Sequence, residues 1–170
     1  MDKQTLTQMW DQTRQKYGIY LRLLDVIPED RLHTNPIPGM RTPAQIVAHI
    51  SGSIVRDIAQ GVAKGAITAD EAGEDKIAEG FKTKADTMAF ATTCWKQASA
   101  AVAETGDAEL QAVVPTPWNM SFPGWVGFNI LNDEFLHHRG QLFAYARACG
   151  QAPPFIWGFA ENAPEFRPAS

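Results

Sequence analysis

Cysteine is scarce in this chain: Cys94 and Cys149 are the only two in 170 residues. They are far apart and lack CxxC spacing, which argues against a disulfide framework or a thiolate metal site; both are expected reduced, with Cys94 as core filler. Concentrated positive charge is also missing. Fifteen Lys and Arg against 19 Asp and Glu leave a net charge of −4 with no basic cluster, so a nucleic-acid or anionic-membrane partner is not expected. No apolar run reaches the length of a membrane span or a signal peptide, and Met1-Asp2-Lys3-Gln4 leads straight into an amphipathic pattern, so a cytoplasmic protein is expected. GxSxG, P-loop and GxGxxG motifs are absent, and Ser51-Gly52-Ser53 falls inside a helical pattern where it cannot form a nucleophile elbow. Glu71, Glu74 and Asp75 cluster without EF-hand spacing and read as a solvated acidic face.

What is present is helical periodicity. The 45% hydrophobic content and the length suit one domain over residues 1–170. Leu6, Met9, Trp10, Thr13, Tyr17, Tyr20 and Leu24 share a face of a first helix from about Lys3 to Leu24. A Pro-rich connection follows, long for a helix hairpin. Thr42-Pro43-Ala44-Gln45 is a capping-box start for a second helix with Ile46, Val47, Ile50, Ile54 and Ile58 on its apolar face. A 3.6-residue wheel puts His49 at the edge of that face, on a strip with Gln45, Ser53 and Asp57 that suits a cleft. A short helix is expected from a second capping box, Thr68-Ala69-Asp70-Glu71, to near Gly80. A third long helix spans about Asp86 to Glu104, and a fourth runs from near Pro123 to before Gly150. No convincing strand is read, so the expected fold class is all-α, a four-helix bundle. Residues 151–170 carry Phe155, Trp157 and Phe159, more aromatic surface than a solvated tail needs, and are expected to pack on the bundle or on a partner subunit.

The fourth helix carries the chemistry. Phe128, Leu131, Phe135, Leu142 and Tyr145 form an apolar seam with a single seven-residue gap, and His138 fills it. Glu134 precedes His138 by four and projects from the same face. A carboxylate beside a seam histidine is costly unless paired or bound to a cation. Adding His49 from the second helix gives two imidazoles and one carboxylate, borderline donors suited to Zn, Ni, Fe or Mn, with positions left open for water or substrate. Taken singly, a histidine such as His49 is more often a hydrogen-bonded interfacial residue than a ligand and a helical acid such as Glu134 more often solvated, and an Arg139–Glu134 ion pair is the rival account of a buried Glu134. His137 points about 100° away from His138 and is expected, with Arg139, to support the site without ligating.

The stretch Arg41-Thr42-Pro43-Ala44-Gln45-Ile46-Val47-Ala48-His49-Ile50, the run His137-His138-Arg139-Gly140-Gln141-Leu142, then Tyr145-Ala146-Arg147 and Gly150-Gln151-Ala152-Pro153-Pro154 together resemble the DinB/YfiT-like superfamily over nearly the whole chain. The resemblance implies an up-down-down-up bundle, often a homodimer, with one His ligand on helix two and an HxxxH pair on helix four. Glu134 stands where the first His of that pair is expected, which lowers the net charge of the site and favours harder metals. Some relatives are thiol-dependent transferases or isomerases, so the resemblance implies a metal-dependent enzyme acting with a low-molecular-weight thiol as co-substrate; a non-catalytic metal-binding or stress-associated dimeric bundle is the alternative.

Overall fold

The computed structural model describes residues 1–68 and 71–169, except for the side chains of residues 71 and 72. Helix α1, Lys3–Val26, starts where the Asp2 carboxylate accepts a hydrogen bond from the Thr5 amide at 2.8 Å. The second long helix is continuous through three pieces: α2, Pro43–Val47; a π-helical segment, Ala48–Asp57; and α3, Ile58–Lys64, closed by Gly65 in the left-handed region. The capping box expected at its start is present, with Thr42 Oγ1 accepting from the Gln45 amide at 3.2 Å and Gln45 Oε1 accepting from the Thr42 amide at 2.9 Å. A short helix α4, Glu71–Gly80, and two further helices, α5, Lys84–Glu104, and α6, Asp107–Gln111, follow; α7, Gly124–Ala148, completes the set. The capping box expected at Thr68-Ala69-Asp70-Glu71 falls outside the described residues.

The four long helices form a bundle of up-down-down-up topology. Helix α1 packs between α5 and α7, and the π segment packs against both from the other side. The second and third long helices run parallel, so the chain between them must return along the bundle, and α4 lies within that return against α2 and the π segment. Every residue of the expected seam on α7, Phe128, Leu131, Phe135, Leu142 and Tyr145, is fully buried. At the centre Trp10 stacks on Trp95 with ring centroids 4.6 Å apart. The Tyr17 hydroxyl donates to the Ala91 carbonyl at 2.9 Å, and Ser51 Oγ lies 3.1 Å from it and 2.9 Å from the Tyr20 hydroxyl, so three buried hydroxyls satisfy one another.

Two expectations change. The connection before α7 contains a hairpin of β1, Val113–Pro115, and β2, Ser121–Pro123, paired antiparallel with Val114 opposite Phe122. Three-residue strands are too short to show alternation, so periodicity could not reveal them. The C-terminal segment does dock on the bundle, but through other residues than expected. Phe166 is buried against Tyr17 and Trp95, and Asn162 Nδ2 donates to the Gln15 and Phe166 carbonyls at 2.9 and 3.0 Å. Phe159 is partly buried, whereas Phe155 and Trp157 remain 66% and 65% exposed. No described helix is long and apolar enough to cross a membrane.

Candidate metal centre

Helix α7 presents Glu134 and His138 one turn apart, with Glu134 Oε2 3.3 Å from His138 Nε2. The π segment brings His49 against them, its ring edge-on to that of His138 with centroids 4.7 Å apart. One donor atom from each of His49, Glu134 and His138 lies within 4.8 Å of the others, and among the described residues no other group of three or more His, Cys, Asp or Glu converges in this way. Metal–nitrogen and metal–oxygen bonds of about 2.0–2.1 Å place tetrahedral ligand pairs roughly 3.3 Å apart. The Glu134–His138 pair already meets that spacing, and the third donor lies within 4.8 Å of both. The donor set fits a divalent ion.

What aims the imidazoles is a set of acceptors behind them. Nδ1 of His49 is 2.9 Å from Glu74 Oε1, and Nδ1 of His138 is 2.8 Å from Gln141 Oε1. A carboxylate and an amide oxygen are acceptors only, so each ring carries its proton on Nδ1 and offers the Nε2 lone pair to the site. Gln141 Nε2 in turn donates to Nε2 of His137 at 3.2 Å. This is the arrangement in which a metal-bound histidine hydrogen-bonds through its other nitrogen.

Glu74 was not legible as a site residue. Far from lying on a solvated face, it is only 9% exposed, and it also accepts a short hydrogen bond from Ser53 Oγ. Arg41 stands 3.9 Å from its other oxygen, and the Tyr145 hydroxyl donates to the Arg41 carbonyl at 2.5 Å, tying α7 to the start of α2. Burial raises the Glu74 pKa, but the hydrogen bonds from His49 and Ser53 and the charges of His49 and Arg41 outweigh it and hold the carboxyl below its ordinary value. A signal did exist: Glu74 precedes Ile77 and Ala78 by three and four, at the edge of the apolar face of α4. The strip that seemed to suit a cleft is covered by this helix, since Gln45 Nε2 donates to Asp75 Oδ1 at 3.0 Å and His49 and Ser53 meet Glu74. Asp57 leaves the strip and pairs with Arg56 at 2.6 Å.

The remaining residues sort themselves by position. His138 is 9% exposed; burial lowers its pKa, with the hydrogen bond it donates to Gln141 opposing and the neighbouring His49 and His137 reinforcing the shift, so the neutral ring is favoured. Glu134 is the most open of the three, its side chain 44% exposed. His137 is exposed and reaches His138 through Gln141 and by a ring contact at 4.8 Å. Arg139 lies away from the three side chains. Its guanidinium carbon sits 5.8 and 6.0 Å from the Phe135 and Phe143 ring centroids, and no Arg139–Glu134 ion pair forms among the described residues, so the rival account of Glu134 has no support. Cys94 is buried and its thiol pushed up to about 11, chiefly by desolvation, consistent with inert core filler.

A four-helix bundle holding a convergent His–Glu–His cluster between its second and fourth long helices defines the class of protein. The sequence profile of the DinB superfamily matches residues 10–142, and the chain belongs to that superfamily. Two solved structures from Bacillus subtilis share the fold. The DinB-like protein YjoA is 19% identical with a TM-score of 0.66, over 82% of this chain and 90% of that one. YfiT, described as a probable metal-dependent hydrolase with an unusual four-helix bundle topology, is 16% identical with a TM-score of 0.63, over 85% of this chain and 88% of its own. No curated protein matches in a sequence comparison.

Proposed function

We propose that the protein is a divalent-metal-dependent enzyme in which His49, Glu134 and His138 hold the ion, and that it transfers a low-molecular-weight thiol to a small electrophile. The observation that carries this reading is the convergence of the three side chains, donor atoms within 4.8 Å of one another, with both imidazoles held through Nδ1 and His138 Nε2 standing 3.3 Å from Glu134 Oε2. A divalent ion bound there would supply a thiol deprotonated by coordination, a nucleophile at neutral pH. The chain's own part is positional. Glu74 and Gln141 hold the ligand rings, and Glu134, half-exposed, marks the side from which substrate enters. The description of YfiT as a probable metal-dependent hydrolase supports a second reading, with water in place of the thiol.

Elemental analysis of protein purified without a His tag, against His138→Ala, tests the metal. About one divalent ion per chain in the wild type and loss in the variant are expected; equal content would remove the reading. Conversion of monochlorobimane with bacillithiol, mycothiol, glutathione or coenzyme A, and Zn, Ni or Mn, then tests the chemistry. A saturable thiol-specific rate supports transfer, and no rate above background with any combination would return the protein to a non-catalytic metal-binding bundle. A homodimer is part of the same proposal, supported by the exposed Phe155, Ile156 and Trp157. Light scattering at micromolar concentration should give twice the chain mass.

A further inference from the structure

A cavity of about 330 Å³ opens directly on the site, with His49 and Glu134 on its wall and Ile54, Ile130, Trp118 and Met120 making up the rest. Its apolar wall follows from local structure on three elements. Ile54 lies five residues after His49 in the π segment, whose wider turns bring it nearer the side of His49 than α-helical turns would, and Ile130 lies one turn before Glu134 on α7. Trp118 and Met120 come from the turn joining β1 to β2.

That turn is firmly built. The Thr116 amide and hydroxyl both donate to the Met120 carbonyl, at 3.0 and 2.9 Å, and Asn119 takes a left-handed φ of 57° at the reversal. The Ile67 amide donates to the Pro115 carbonyl at 3.0 Å, fastening β1 to the segment after α3. The scaffold therefore holds an indole and a thioether beside the ligands while leaving Trp118 42% and Met120 54% exposed. Neither belongs to the core cluster, so core packing does not account for them. Among the described residues no Lys or Arg lines the cavity to receive an anionic group, and its volume lies at the small end of small-molecule sites.

We propose that this cavity binds an aromatic or similarly flat apolar group of a small substrate whose polar, reacting end reaches His49, Glu134 and His138, and that Trp118 sets this preference by stacking. The proposal rests on the metal-site reading above. The experiment keeps the two separable.

In zinc-loaded protein, benzohydroxamate should bind about tenfold more tightly than acetohydroxamate, because the two share a chelating head and differ in the ring that meets the indole. Trp118→Ala, an exposed position, should remove that preference and leave acetohydroxamate binding unchanged, while Trp118→Phe retains most of it. Equal affinities in the wild type, or a preference that survives Trp118→Ala, would overturn the proposal. In metal-free protein, benzyl alcohol should shift the Met120 methyl resonance, assigned through Met120→Leu, and the shift should vanish in Trp118→Ala. If neither hydroxamate binds, the metal reading fails and the methyl titration alone decides the cavity: an unmoved Met120 signal rejects the proposal.

Discussion

The carboxylate of Glu74 and Nδ1 of His49 are 2.9 Å apart, although they stand on different helices 25 residues apart in the chain. The depressed pKa of Glu74 keeps it an acceptor, so the bond dictates which nitrogen of His49 is free. Removing the acceptor should therefore weaken metal binding without touching a ligand. Glu74→Ala is expected to lower zinc affinity by about 10–100-fold, and Glu74→Gln, which keeps an oxygen acceptor, by less. Nitrogen NMR of metal-free protein should show His49 as the Nδ1–H tautomer in the wild type and a shift toward Nε2–H in Glu74→Ala. Unchanged affinity and tautomer would refute the positioning role.

Gln141 occupies the corresponding place behind His138, and His137 touches it only from the far side. Gln141→Leu should accordingly cost more metal affinity than His137→Ala, with a competing chelator giving the order. A larger loss at His137 would mean that it ligates directly.

The lowered pKa of His138 makes stability depend on pH in a defined sense. The unfolded ring binds a proton near its ordinary 6.5 while the folded ring resists it, so the folded state holds fewer protons in that window and stability rises with pH. With metal removed, the urea midpoint should fall as pH drops below about 6.5, and His138→Gln should flatten that slope. A steeper fall in the variant would reverse the assignment.

Gly18 tests the docking of the C-terminal segment. A Cβ there would stand 2.6 Å from the Phe166 Cβ and closer still to the Asn162 side chain. Gly18→Ala favours helix α1 by about 1 kcal/mol through propensity, but overpacking costs about 1–3 kcal/mol. The net effect should be destabilising, with faster proteolysis after about residue 150. A raised melting temperature would show that the segment yields freely.

Much of this protein is determined along the chain itself. Thr42-Pro43-Ala44-Gln45 satisfies its own helix terminus through bonds spanning three residues, and Glu134 and His138 share a face because four residues span about one turn. The seam interrupted by His138 is local for the same reason. Tertiary structure alone decided what stands behind the two histidines. Glu74 reaches His49 only because α4 lies along the second long helix, and the π register, absent from any 3.6-residue wheel, places Ile54 beside His49 in the cavity wall. Arg139 and Glu134 are compatible in charge and near in sequence, yet packing turns the guanidinium onto Phe135 and Phe143. Residues 155–169 show the same division. Aromatic composition announced that they would bury something, but which rings go inside depends on the space that Gly18 leaves on α1, and that space is filled by Phe166 and Asn162 while Phe155 and Trp157 stay in solvent.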